Sequence, residues 1–150
     1  QGAISSTVEK NIRTLYHNNV AFTLFLFEKA IEYGIPVKYA SSASVYGNQT
    51  KELKIINPLN HYAITKLQID YFVLDNLDKF SSVQGFRYFN VYGEGEEHKG
   101  DQASPVSKFT KQIKEKGYLE LFEGSDKFYR DFVCVNDVVD LVLNIICKRF

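Results

Sequence analysis

Three residues in this chain have the types and order needed to move a proton and a hydride: Ser42, Tyr62 and Lys66. Tyr62 and Lys66 stand four positions apart in a stretch that reads as a helix, so they share one face, one turn apart. A free phenol has a pKa of about 10, too high for a base at neutral pH, and a nearby ammonium favours the phenolate. Ser42 ends an apolar, strand-like run, where its hydroxyl could bond a substrate oxygen or the phenol. Together the three could take the proton of an alcohol while hydride leaves for an acceptor. Y-x-x-x-K alone is a weak signal in a chain with ten tyrosines, and a surface pair is the plain alternative. Its setting carries more: the strand ends in SSASVYG, and PLNHY leads into the helix.

The elements that must position these groups alternate between helical and strand patterns, which predicts an α/β layer architecture. Residues 18–33 read as a helix in which Phe22, Phe25, Leu26 and Ala30 recur at helical spacing, with Gly34 as its stop. A strand is predicted over 37–41, and the tyrosine helix over 62–80 with Leu67, Tyr71, Leu74 and Leu77 along one side. Residues 83–91 form a β-rich run, and 94–101 (EGEEHKGD) a polar loop. Ser104 and Pro105 read as the cap and first position of a helix facing inward with Val106, Phe109 and Ile113, ended by Gly117. Short strands are predicted over 119–122 and 128–135, and a last helix over 138–148 capped by Asn136.

Composition narrows the class. The chain has 150 residues, 45% apolar and 24% charged, a globular profile. Eighteen basic side chains balance 18 acidic ones, so no global field recruits nucleic acid or an anionic membrane, and neither is expected as a partner. An anionic ligand must be held by a local cluster. The most apolar runs, near 20–27 and 138–147, fall short of a membrane span, and nothing at the start reads as a signal peptide. Cys134 and Cys147 have no neighbouring histidine cluster, so they read as small buried side chains, in keeping with a reducing cytoplasm. His17, His61 and His98 show no metal-ligand spacing, and no metal is predicted. The chain opens on Gln1 and contains no methionine, which predicts a piece of a longer protein.

The motifs SSASVYG, PLNHYAITK, GFRYFNVYG and RDFVCVNDVVD, in that order, resemble the extended short-chain dehydrogenases/reductases that act on nucleotide sugars, across essentially the whole chain. The loop GEGEEHKG, with ASPVSKF, LFEGSDKFYRDFV and the opening QGAISST, is similar to the branch of that family acting on ADP-heptoses. The resemblance implies a doubly wound parallel, Rossmann-like sheet truncated in its N-terminal half, with part of a small C-terminal substrate domain. On that pattern, residues 1–93 belong to the NADP-binding domain, 94–127 to the substrate domain, and 128–150 return to the first. It also implies a bound nicotinamide cofactor, reduced and reoxidised within one turnover, whose positive ring would help lower the phenol's pKa.

Residue by residue, the resemblance makes Tyr62 one acid/base, Lys66 its partner and a ribose ligand, and Ser42 the third member. Lys99 becomes a second acid/base on the other side of the sugar, as suits an epimerase that must accept either configuration at C6″. NADP would be contacted by Gln1, Gly2, Ala3, Ile4, Ser5, Asn18 and Val91, together with Tyr62, Lys66 and Lys99. Asn90, Asp101, Lys108, Phe122, Glu123, Gly124, Ser125 and Arg130 would contact the substrate, with Arg130 on its diphosphate. The implied activity interconverts ADP-D-glycero-β-D-manno-heptose and its L-glycero epimer for the lipopolysaccharide inner core, in the cytoplasm, by a homo-oligomeric intact enzyme. Another nucleotide-sugar epimerase or dehydratase, or a non-catalytic fragment, is the alternative. Locally, Lys99 could be a solvated loop side chain, Arg130 could pair with Asp126 or Asp131, Asn90 could form a strand-end turn, and Asn18 could cap a helix. No G-x-x-G-x-x-G turn occurs. The chain is therefore expected to begin after the family's first three strands, to bind NADP poorly, and to turn over little by itself.

Overall fold

A computed structural model describes residues 3–48 and 55–147 of the chain. It forms two compact units, Gln1–Tyr88 and Phe89–Phe150. In the first unit, helix α1 (Ile12–Leu15) runs through a π-helical segment, Tyr16–Ala21, into α2 (Phe22–Glu32). The helical run thus begins well before the position the sequence suggests. Its cap is Asn11, whose side chain accepts the Thr14 amide at 3.1 Å. Asn18 lies inside the π segment and donates to the Thr14 carbonyl at 2.9 Å, so it caps nothing.

The buried stripe of this helical run is Leu15, Val20, Phe27 and Ala30, while Phe22, Phe25 and Leu26 are exposed. Apolar residues surround α2 almost completely, so periodicity alone does not choose the stripe; the packing partner does. That partner is α3 (His61–Asp75), together with a parallel pair of strands, β1 (Val37–Ser42) and β2 (Val83–Tyr88). Phe27, Ile69, Val73 and Phe80 form the core cluster, with Ile31, Val37, Tyr39, Phe72 and Val83 around it. Phe27 meets the Tyr39 and Phe80 rings edge-on at 5.4 Å and 5.8 Å, a favoured aromatic geometry.

The side of α3 marked by Tyr71 and Leu74 faces outward, with Leu67 half-buried, and Leu77, in the 3-10 turn after the helix, is exposed too. The inner face of α3 is Ala63, Thr65, Lys66, Ile69, Asp70 and Val73. Three of those six are polar, and polar residues hide an inner face from a hydropathy reading. They are tolerated inside because they are bonded there. Helix α3 starts at the Asn60 cap, which accepts the Ala63 amide at 2.8 Å, and stops at Asp75 rather than running to residue 80. After β1, a 3-10 turn (Ala43–Tyr46) leads to Gly47 at φ +64, where a Cβ would also run into the Asn57 carbonyl. Only glycine fits that corner without strain.

In the second unit, β3 (Asn90–Tyr92) pairs in parallel with β4 (Phe132–Cys134), and α4 (Pro105–Lys116) and α5 (Val135–Cys147) complete it. The β-rich run of 83–91 is therefore split at Phe89 into two strands of different sheets. Residues 94–101 are not wholly irregular, since Glu97–Gln102 form 3-10 turns. Helix α4 follows its local signals: the Ser104 hydroxyl accepts the Ser107 amide at 3.2 Å, Pro105 opens the helix, and Gly117 closes it at φ 78. Its expected inner face is only partly covered, with Val106 half-buried and Phe109 and Ile113 exposed.

Residues 119–122 form no strand, and the 128–135 strand shrinks to Phe132–Cys134. The Glu120 amide bonds the Gln112 side chain, at 3.0 Å, rather than a strand neighbour. Helix α5 starts at Val135, which places Asn136 within its first turn rather than at its cap. Cys134 is a free, half-buried thiol, and the side chain of Cys147 lies outside the described residues. Among the described residues, no helix is long and apolar enough to cross a membrane.

Candidate active site

The first unit brings Ser42, Tyr62 and Lys66 together where the end of β1 meets the first turns of α3. Lys66, 7% exposed, donates from Nζ to the Ala40 carbonyl at 2.9 Å. Its ammonium lies 5.8 Å from the centre of the Tyr62 ring. The Ser42 side chain accepts the Ser44 amide at 3.2 Å and the Ser44 hydroxyl at 2.9 Å, and it lies near enough to the Tyr62 phenol to favour its ionised form.

Burial raises the Tyr62 pKa, and Ser42 offsets only part of that rise. This departs from the expectation of a phenol lowered by its lysine. In this state desolvation dominates, and the ammonium is bonded to a backbone carbonyl instead. Burial also lowers the Lys66 pKa, while the negative charge of Asp70 works in the other direction.

Asp70, one turn beyond Lys66, escaped the sequence reading. It is 5% exposed and accepts three donors: the Tyr39 hydroxyl at 2.9 Å, the Ser41 hydroxyl at 3.0 Å, and the Arg87 Nε at 2.9 Å. Arg87 also bonds the Tyr46 hydroxyl at 3.0 Å and stacks over its ring. A Cβ at Gly85 would strike the Tyr39 ring, so the glycine makes room for that phenol to cross β2. Burial and the Asp70 carboxylate push the Tyr39 pKa well above its ordinary value.

Of the expected cofactor segment, Ala3, Ile4 and Ser5 are irregular, and Gln1 and Gly2 lie outside the described residues. Asn19, not Asn18, ties this segment down. Fully buried, it accepts the Ile4 amide at 2.8 Å and donates to the Ile4 carbonyl at 3.0 Å and to Thr65 at 3.2 Å. Asn18 is exposed.

In the second unit, Val91 is half-buried on β3, and the Asn90 side chain donates to the Asp131 carbonyl at 2.8 Å. Lys99 is joined to Glu96 at 3.3 Å. Glu96, also missed from sequence, is 5% exposed and accepts the Ser104 amide at 3.2 Å and hydroxyl at 2.6 Å. Burial works against its charge, but Ser104 and Lys99 outweigh that and hold its carboxyl below the usual range. The E-x-x-K spacing, with a helix-cap serine downstream, was the available signal.

Lys108 donates to the Asp101 carbonyl, so these two expected substrate residues are brought together. Phe122, Glu123, Gly124 and Ser125 form a turn in which the Ser125 amide donates to the Phe122 carbonyl at 3.1 Å, and Phe122 is 87% exposed. Arg130 bonds the Tyr129 carbonyl at 2.7 Å, and among the described residues it pairs with neither Asp126 nor Asp131.

The fold and this cluster together define a class: an α/β protein with parallel strands and a serine–tyrosine–lysine cluster at a strand end. The chain belongs to the NAD dependent epimerase/dehydratase family, whose model matches residues 1–149. It is 44% identical over 151 residues to an ADP-L-glycero-D-manno-heptose-6-epimerase of Alkalilimnicola ehrlichii, covering 95% of this chain and 47% of that protein. Among solved structures, the ADP-L-glycero-D-manno-heptose-6-epimerase of Helicobacter pylori matches with TM-score 0.81 and 37% identity, over 91% of this chain and 44% of its own. A Thermotoga maritima UDP-glucose 4-epimerase, solved with UDP-glucose, matches with TM-score 0.86 and 25% identity, over 99% of this chain and 51% of its own. The Rossmann-like α/β fold is thus shared with epimerases, and the chain spans about half the length of the relatives it matches.

Proposed function

We propose that these residues carry the acid–base centre of an ADP-heptose 6-epimerase, which interconverts ADP-D-glycero-β-D-manno-heptose and its L-glycero epimer. The observation that supports it most is the packing of Tyr62 against a buried Lys66 and the Ser42 hydroxyl. Residues 1–93 would contribute to the cofactor domain, 94–127 to the substrate domain, and 128–150 would return to the first. We infer an intact, homo-oligomeric enzyme in a bacterial cytoplasm, serving lipopolysaccharide inner-core synthesis.

The donor set suits the nicotinamide half of a dinucleotide. Lys66 spends one of its three N–H donors on Ala40 and keeps two for ribose hydroxyls. When bound, NADP would accept hydride from C6″ of the sugar and return it to the opposite face. Tyr62 takes the hydroxyl proton as the ketone forms, Ser42 holds the same oxygen, and the Lys66 ammonium stabilises the phenolate. Lys99 serves the other configuration as a second acid/base, held until then by Glu96. Arg130, whose fork bonds the Tyr129 carbonyl, takes the diphosphate.

The test uses the intact enzyme, loaded with NADP and given ADP-D-glycero-β-D-manno-heptose, with the two epimers resolved by chromatography. Tyr62→Phe is expected to slow conversion by about 10²–10⁴-fold, and Lys99→Met to slow it strongly as well. No conversion by the folded, loaded enzyme would remove the heptose assignment and point to UDP- and dTDP-sugars.

A further inference from the structure

The cluster is held by more than its three members. Tyr62, Lys66 and Asp70 follow one another at single turns of α3, along one line of the helix. Two of them grip adjacent residues at the end of β1, Lys66 the Ala40 carbonyl and Asp70 the Ser41 hydroxyl, and Tyr62 lies beside the next residue, Ser42. Tyr39 and Ser41 project from one face of β1, and Gly85 and Arg87 occupy the register positions beside them on β2. Asp70 therefore receives donors from both strands of the sheet, and it is the one residue of α3 that does so among the described residues.

We propose that Asp70 is a positioning residue for the reaction. By drawing Ser41 and Arg87 onto the third turn of α3, it fixes the helix against the strand end, so that the Ser42 hydroxyl and the Tyr62 phenol converge on one substrate oxygen. This rests on the reading of Tyr62 and Ser42 as the chemical groups. Its physical basis is that three charge-assisted or hydroxyl bonds on one buried carboxylate leave the helix little freedom to slide or turn against the strand. Removing the charge also leaves Arg87 without its ionic partner.

The experiment compares Asp70→Asn, Ser41→Ala, Val73→Ala and Tyr62→Phe in the intact, cofactor-loaded enzyme, measuring kcat, KM and Tm. Asp70→Asn should lower kcat roughly tenfold to a hundredfold, the scale of a small misplacement of reacting groups, with KM within about twofold. Ser41→Ala should lower kcat in the same direction by less. Val73→Ala, on the inner face of the same helix, should lower Tm and leave kcat unchanged. If Asp70→Asn does not fold, Ser41→Ala decides. Parental kcat in both Asp70→Asn and Ser41→Ala, with kcat lost in Tyr62→Phe, overturns the positioning role and leaves the acid–base reading standing. Loss of kcat in Val73→Ala in step with Tm also overturns it, because the effect is then general destabilisation. Full activity in Tyr62→Phe overturns both.

Discussion

The two units treat their polar residues in opposite ways. In the first, Ser42, Lys66 and Asp70 are buried and bonded, so their positions are set by the fold before any ligand arrives. In the second, Asn90, Asp101, Lys108 and Arg130 are exposed, and among the described residues the side chains of Asn90, Lys108 and Arg130 bond backbone carbonyls. The contrast teaches which residues can do chemistry by placement and which must be ordered by what they bind. Burying a polar group is costly unless it is fully bonded, so a buried polar cluster is a fixed one. The exception in the second unit is Glu96, which gathers Ser104 and Lys99 in the manner of Asp70.

Three experiments sharpen or break the contrast. Arg130→Ala should act on binding: a charge-assisted contact to a diphosphate accounts for a rise in KM of about tenfold to a hundredfold, with kcat little changed. A fall in kcat as large as that expected for Tyr62→Phe would erase the distinction between the units. Gly47→Ala should destabilise the intact enzyme by about 1–3 kcal/mol in denaturant unfolding, because the turn after Ser42 needs a positive φ and has no room for a Cβ. An unchanged unfolding midpoint would show that the corner is not rigid.

The smallest effect is a pH dependence. Glu96 has a depressed pKa in the folded chain, so its bonds contribute stability that is present above the ordinary glutamate value of about 4.3. That contribution is lost as pH falls through the folded value. Glu96→Gln should therefore be less stable than the parent near neutrality and approach it below that window. A constant difference across the range would mean the carboxylate's charge is not what holds Ser104 and Lys99.

What the sequence made legible was local. Ser104, Pro105 and Gly117 bound α4 because caps and stops act within a few residues, and Tyr62 and Lys66 stood out because helical spacing pairs them. Asp70, Arg87 and Asn19 were not legible for the opposite reason, whereas the partners of Glu96 lie only three and eight positions away. Asp70 bonds Ser41 across 29 positions and Asn19 bonds Thr65 across 46, and no window of sequence shows that a polar residue will find such a partner. Helix α3 shows the same limit: the apolar side marked by Tyr71 and Leu74 faces outward, while the inner face carries Lys66 and Asp70. Strand propensity over 119–122 failed because a strand needs a neighbour, and among the described residues none pairs with it.

The buried centre of the first unit is proposed to carry a transient oxidation. Its most direct test is the fate of hydrogen at C6″. ADP-D-glycero-β-D-manno-heptose deuterated at that carbon is turned over by the intact enzyme in ordinary water, and both epimers are read by mass spectrometry. Deuterium is expected to stay on the sugar in both, because it leaves and returns as hydride without meeting solvent, and Tyr62→Phe is expected to suppress the interconversion. Washout of the label into water would mean that C6″ is deprotonated rather than oxidised, and would contradict the account.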